Sequence, residues 1–165
     1  MSVKKLNSMR FLEQQNIPYE VVEYSDTIHD AFELAEAVGV PPHIVYKTLV
    51  VDTGTPGKPV LALIAADARL DLKKLARAAN VKKLTMAAHA DAEKWTGLKT
   101  GGISPLALIP KNWKLFIDQP VTQLQQFMLS AGQRGCNLRV PTADFLRVMK
   151  PIVAEISVVG EDEPE

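Results

Sequence analysis

Cysteine is nearly absent from this chain: Cys136 is the one thiol in 165 residues. A single cysteine excludes an internal disulfide framework and a cysteine-based zinc site, and it fits a reducing cytoplasm. Net charge is absent as well. Nineteen basic residues balance nineteen acidic ones, so no global field draws the chain to nucleic acid or a membrane, and any RNA contact must rest on a local basic patch. No apolar run approaches the roughly 20 residues of a membrane span, and none of signal length follows the first five residues. No membrane partner is expected. The sequence also has no G-x-G-x-x-G after a strand, no P-loop, no internal repeat and no dividing linker. It reads as one domain over residues 1–159 with an acidic tail at 160–165.

What is present is a short alternation of helices and strands. Ser2 is placed to cap a helix over about Val3 to Gln15, closed by Asn16 and Pro18. Tyr19 to Tyr24 reads as a strand, Ser25 to His29 as a loop, and Asp30 to Val38 as a helix with Gly39 as its C-cap. Pro41 to His43 starts a short helical turn. Val45 to Asp52 and Pro59 to Ala65, joined by a turn at 53–58, predict an antiparallel hairpin. Leu72 to Ala79 is a helix preceded by Asp71. Leu84 to Met86 is a short strand, and Ala87 to Trp95 a helix ending at Gly97. Lys114 to Asp118 is a strand, Gln123 to Ser130 a further apolar stretch, and Ala131 to Gly135 a turn. Cys136 to Val140 is a strand, a helix runs from Pro141 at N1 to Met149, and Ile152 to Val159 is a last strand. Hairpins dominate. The expected fold class is α+β: a mixed, mostly antiparallel, barrel-like sheet with helices outside.

The stretch Thr96-Gly97-Leu98-Lys99-Thr100-Gly101-Gly102-Ile103-Ser104-Pro105 has neither helical nor strand period. It is a shaped loop with bare amides, readable as a surface turn or as one wall of a small-molecule pocket. His29, His43 and His89 lack metal-ligand spacing, so no metal and no cofactor are expected. Ser104 lacks the G-x-S-x-G elbow of a hydrolase nucleophile. Cys136 follows Arg134-Gly135, which permits two readings, a thiol activated by a cation or a small buried hydrophobe. Lys47 stands in an apolar strand, on the alternation of Val45 and Leu49. It is either an edge-strand lysine or a cation lining a pocket. Lys73, Lys74 and Arg77, with Lys82 and Lys83 beyond, form a basic helix face that is either solvated or a contact for RNA phosphates.

Four segments occur in order: Val45-Tyr46-Lys47-Thr48-Leu49-Val50-Val51, Leu70-Asp71-Leu72-Lys73-Lys74-Leu75, Gly101-Gly102-Ile103-Ser104-Pro105 and Ser130-Ala131-Gly132-Gln133-Arg134-Gly135. Together they resemble the YbaK/prolyl-tRNA-synthetase-associated editing domain family, over about Leu6 to Ile156. The resemblance implies a hydrolase that removes a wrong amino acid, cysteine first, from the terminal adenosine of tRNA(Pro), with prolyl-tRNA synthetase as a further partner. It implies a catalytic set of Lys47, Gly101 and Gly102, the glycine amides facing the substrate carbonyl. It implies substrate binding at Tyr24, Thr48, Ile103, Ser104, Pro105 and Ser130. Three departures stand out. The second glycine turn reads Ser-Ala-Gly-Gln-Arg-Gly where relatives commonly show Ser-Gly-Gly-Lys-Arg-Gly. Asn137 stands where an aspartate is common, and the 25–32 segment is short.

The motifs hold no paired histidine and carboxylate. An aminoacyl ester is already activated, so backbone amides and a positioned water, or a group of the substrate itself, suffice as an expected mechanism. The alternatives are a deacylase for alanyl or another small aminoacyl-tRNA, a non-catalytic module holding a tRNA end, and a regulatory interaction domain. The last of these predicts an exposed apolar patch in place of an ordered pocket.

Overall fold

The computed structural model describes residues 4–159. The Ser2 cap and the acidic tail at 160–165 lie outside them. The elements run α1 (Asn7–Gln14), β1 (Glu20–Glu23), α2 (Ala31–Val38), β2 (Tyr46–Asp52), β3 (Val60–Ala65), β4 (Ala68–Leu70), α3 (Leu72–Ala79) and β5 (Thr85–Met86). They continue α4 (His89–Thr96), β6 (Leu115–Asp118), β7 (Gln126–Gln133), β8 (Cys136–Pro141), α5 (Thr142–Met149), β9 (Ile152–Ala154) and β10 (Ser157–Val159).

Five strands form one sheet in the order β5-β2-β3-β6-β9, three form β1-β8-β7, and β10 pairs with β4. The β3–β6 and β6–β9 pairs are parallel and the rest antiparallel. A parallel bridge between Val45 and Met128 joins the two larger sheets. The mixed, mostly antiparallel architecture expected from the sequence is the one observed. At that bridge the chain curls, bringing the start of β2 beside the middle of β7.

Local chemistry sets the helix ends. The Asp30 carboxylate accepts the Glu33 amide (3.1 Å), and Gly39 closes α2 in the left-handed region at φ 75°. The Asp71 carboxylate accepts the amides of Lys73 and Lys74, and Asn80 closes α3. Each of these side-chain caps satisfies amides that the helix itself leaves free. On the far side, Ser8 of α1 is buried and donates its hydroxyl to the Ala131 carbonyl (2.6 Å), fixing the helix behind β7.

Three expectations need correction, and one strand, β4, is not among those expected. Ile152 to Val159 is not one strand. Ile156 is buried, its amide donates to Asp118 (3.0 Å) and its carbonyl accepts from Asp71 (2.8 Å), so the chain leaves the large sheet there and restarts against β4. The Ser157 hydroxyl also donates to Asp118. β4 itself shows no sequence signal beyond Ala68-Arg69-Leu70. The turn expected at 131–135 is mostly strand: β7 continues to Gln133, with a register shift between Ser130 and Gln133. Pro141 belongs to the end of β8 in extended conformation, and Thr142 opens α5, its amide donating to the Gln125 carbonyl (2.9 Å).

Candidate active site

A cleft of about 610 Å³ opens at the start of β2. Its lining comes from five separate stretches: Tyr24 after β1, the 28–34 segment entering α2, 45–49 at the start of β2, α4 with the loop after it, and the β7–β8 hairpin. Tyr46 ties the lining to the core behind it. Tyr46 meets Phe127 edge to face (5.3 Å between centroids), and Phe127 meets Phe145 likewise (5.0 Å). Burial raises the Tyr46 hydroxyl's pKa, reinforced by the Asp118 and Asp67 charges.

Lys47 lies in this lining, half-buried, opposite Ile64 of β3. Val45, Leu49 and Val51 share its alternation along the strand and belong to apolar clusters on either side of it. β5 pairs only with Val51 and Asp52, so β2 is uncovered on that edge beside Lys47 and the strand meets β7 there.

The glycine loop has two different halves. Gly101 lies on the cleft at φ 88°, and a Cβ there would sit 3.0 Å from both Cα and O of His29. Both facts demand glycine. The Gly101 amide has no hydrogen-bond partner among the described residues. Gly102 differs. Its amide already donates to the Lys99 carbonyl (2.8 Å), and a Cβ would meet the Arg134 nitrogen and the Gln133 carbonyl carbon at 2.7 Å. The reading of Gly102 as a second oxyanion donor is therefore corrected: its hydrogen is committed within the loop, and its missing side chain lets the loop press against the second glycine turn.

The loop is clamped from two sides at Thr100. Its amide donates to Glu93 of α4 (2.7 Å), and its carbonyl accepts from Arg134 Nε (2.6 Å). The Thr100 amide, above all, holds the Glu93 carboxyl below its ordinary pKa. The carbonyl that Arg134 engages belongs to the same peptide group as the Gly101 amide, so Arg134 fixes that amide's orientation.

Ser130 is buried on the opposite wall, and its hydroxyl accepts the Gly132 amide (3.1 Å). Asn137 faces Ser130 across the hairpin. Tyr24 is raised in pKa chiefly by burial, while the hydrogen bond from the Asn137 side chain works in the opposite direction. Three buried polar atoms of the lining, Thr48 Oγ1, Thr100 Oγ1 and Asn137 Oδ1, have no hydrogen-bond partner among the described residues. Buried polar groups are nearly always paired, so these atoms mark where a bound molecule's polar groups belong.

Of the residues singled out from sequence, the cleft gathers Tyr24, Lys47, Thr48, Gly101, Ile103 and Ser130. Gly102, Ser104 and Pro105 lie behind it. Ser104 is fully buried and its Oγ accepts the Leu106 amide (3.2 Å), and Pro105 lines a separate groove with Leu108 and Trp113. Those two shape the loop. Cys136 is buried too, and burial pushes its thiol up to about 11, the opposite of the activation its neighbour Arg134 suggested. The α3 face stands away from the cleft. Lys74 Nζ donates to Glu155 (2.8 Å) and to the Ser157 carbonyl (3.1 Å), so that lysine is committed to the fold while Lys73 and Arg77 stay exposed.

His29, His89, Glu93, Thr100, Arg134 and Asn137 also line the cleft, and sequence reasoning assigned them no site role. The two histidines carry no spacing signal. The arginine is in view only as a letter of the second glycine turn and as a neighbour of Cys136, and the asparagine only as a departure just after that turn. Among the described residues, no cluster of three or more His, Cys, Asp or Glu is placed to hold a metal, and no helix is long and apolar enough to cross a membrane.

Similarity to known proteins bears on this arrangement. A relative from Enterococcus faecalis, named "Putative Cys-tRNA(Pro)/Cys-tRNA(Cys) deacylase EbsC", is 34% identical over 156 residues, 93% of this chain and 94% of its own. An Escherichia coli relative, named "Multifunctional Ser/Thr-tRNA deacylase ProXp-y", is 32% identical over 93 residues, 56% of this chain and 55% of its own. Two solved structures, both 21% identical, share the fold. One, of a hypothetical protein, has a TM-score of 0.83 over 93% of this chain and 100% of its own. The other, described as "a putative trans-editing enzyme for prolyl tRNA synthetase", has a TM-score of 0.73 over 94% and 99%. The aminoacyl-tRNA editing domain model matches residues 25–148. That span reaches from the residue after Tyr24 to the last turn of α5 and contains every other wall of the cleft; the chain belongs to the aminoacyl-tRNA editing domain family.

Proposed function

We propose that the protein deacylates mischarged tRNA(Pro), cysteinyl-tRNA(Pro) first, and that hydrolysis takes place in the cleft around Lys47. The carrying observation is that Lys47, Ser130 and Gly101, whose amide has no partner among the described residues, lie far apart in sequence and line a single cleft. The name of the Enterococcus relative supports the substrate.

In this reading water adds to the ester carbonyl and the new oxyanion accepts the Gly101 amide. The ester C–O bond then breaks, releasing the ribose hydroxyl with a proton and the amino acid as its carboxylate. Lys47 binds the phosphate or ribose end of the terminal adenosine. One proton of the water reaches the departing ribose oxygen, relayed by the vicinal ribose hydroxyl or by the cysteinyl thiolate, and the other is released to solvent as the product acid ionises, with no dedicated protein base. His29 and His89 lie on the lining as the test of that claim: alanine at either leaves most turnover in place, and its abolition with substrate binding intact overturns the base-free mechanism.

A second reading, seryl or threonyl substrates, is favoured over alanyl by Thr48 Oγ1 and Asn137 Oδ1. A hydroxyl or thiol on the substrate can bond these atoms, whereas a methyl group leaves them unpaired at a cost of roughly 1–3 kcal/mol. The Escherichia coli relative's name points the same way. Since a small pocket discriminates weakly by size, prolyl-tRNA synthetase or the tRNA itself completes the selection in this proposal, and both belong to the cytoplasm. The deciding assay is deacylation of tRNA(Pro) charged in turn with Cys, Ser, Thr, Ala and Pro. Turnover of Cys above Ala is expected; no turnover of any sinks the hydrolase reading and leaves a tRNA-end binding module.

A further inference from the structure

β2 has a second cleft at its other end. It measures about 540 Å³ and lies among the 53–58 turn, the end of α3 with Val81, and the 111–114 segment entering β6. Lys58, Lys111 and Lys114 line it from two separate loops, all three exposed, and no acidic residue joins them in the lining among the described residues. None of the three forms an ion pair among the described residues. Lys111 stands over the ring of Trp113, 5.7 Å from its centroid. Val81 is 46% exposed at the rim, with Lys82 and Lys83 exposed beside it. In a chain of zero net charge, such a gathering of unopposed lysines around an aromatic ring is a local field for a polyanion.

Its position names the polyanion. Lys47 and Thr53 are six residues apart along β2, about 20 Å at strand rise. A stacked nucleic-acid strand covers that in about six nucleotides at roughly 3.4 Å each. We propose that this second cleft binds the acceptor-stem phosphates of the tRNA whose 3′ end occupies the first. The assignment rests on the deacylase reading for the identity of the RNA. It places the body contact here, on Lys58, Lys111 and Lys114, and not on the α3 face, where Lys74 is already paired.

The test compares Lys111→Glu/Lys114→Glu with Lys73→Glu/Arg77→Glu, all exposed positions. Binding of uncharged tRNA(Pro) is measured against salt, and turnover is measured on cysteinyl-tRNA(Pro) and on cysteinyl-adenosine. For the second-cleft variant, the expected result is affinity for tRNA(Pro) weakened about tenfold or more and a log–log salt slope lower by about 2, near 0.9 per lost contact. KM for the charged tRNA rises with kcat unchanged, and cysteinyl-adenosine turnover is unaffected. Unchanged affinity and slope overturn the proposal. So does an equal or larger loss in the α3 variant, or a loss of synthetase binding in place of tRNA binding. If wild-type protein cleaves neither ester, the deacylase reading fails, while the tRNA-binding comparison still decides this one.

Discussion

The clefts at the two ends of β2 are built by different rules. At the start of the strand, polar groups are tied into one another: Thr100 sits between Glu93 and Arg134, the Ser130 hydroxyl accepts Gly132, and Gly102 lies against the second glycine turn. At the end of the strand, lysines stand on exposed loops with a tryptophan among them and no acid in the lining. The first arrangement suits a reaction whose donors must be held in place before the substrate arrives. The second suits a charged backbone gripped without fixed register, where long flexible side chains cost little. In the proposed function the difference separates positioning of the ester from capture of the molecule that carries it.

Substitutions can break that division, beginning with the severest. Gly102→Ala drives a methyl group into the Gln133–Arg134 backbone, which cannot swing aside. We expect a loss of roughly 3 kcal/mol in urea unfolding, at the upper end of overpacking costs, together with activity. Lys47→Ala is expected to keep its circular dichroism and melting temperature and to lose about 100-fold or more in deacylation. An active variant removes Lys47 from the site. Arg134→Ala forfeits a charge-assisted bond worth about 1.5–3 kcal/mol, and we expect about a tenfold fall in kcat with KM little changed, part of it recovered in Arg134→Lys. A rise in KM alone would make Arg134 a binding residue.

The smallest effect is at Cys136. With its folded pKa raised from 9.0 to about 11, the folded state holds its proton more tightly than the unfolded chain. That contribution is complete below pH 9 and is lost as pH rises toward 11. Thiol reagents at pH 8 are expected to leave the native protein unlabelled and to react in denaturant. Labelling of the native protein would reopen the nucleophile reading.

Legibility in the sequence follows the same division between the clefts. Contiguous runs reveal themselves: the Val45 to Val51 strand, the Asp71 cap and the Gly101-Gly102 loop are all legible in the sequence. Arg134 is in view as a shared letter of a motif and Asn137 as an unusual one beside it, but no sequence rule says that one reaches a carbonyl 34 residues away or that the other leaves an oxygen unpaired. Lys58, Lys111 and Lys114 were invisible as a group, because only the parallel pairing of β3 with β6 sets their loops side by side. Conversely, the basic run on α3 looked dense only because it was contiguous. Its Lys74 is consumed by Glu155, a partner 81 residues on.

The Thr100–Gly101 peptide carries a consequence of its own. Its oxygen accepts a guanidinium N–H and its nitrogen belongs to Gly101, which lines the cleft. Drawing electron density toward that oxygen increases the double-bond character of the C–N link and leaves the amide hydrogen more positive. In the proposed mechanism the arginine thereby acts on the reaction through resonance, across a planar group, besides lining the cleft itself. Donor strength at Gly101 becomes a property set by a side chain in the other hairpin, so drift at position 134 can tune turnover while every atom lining the ester stays where it is.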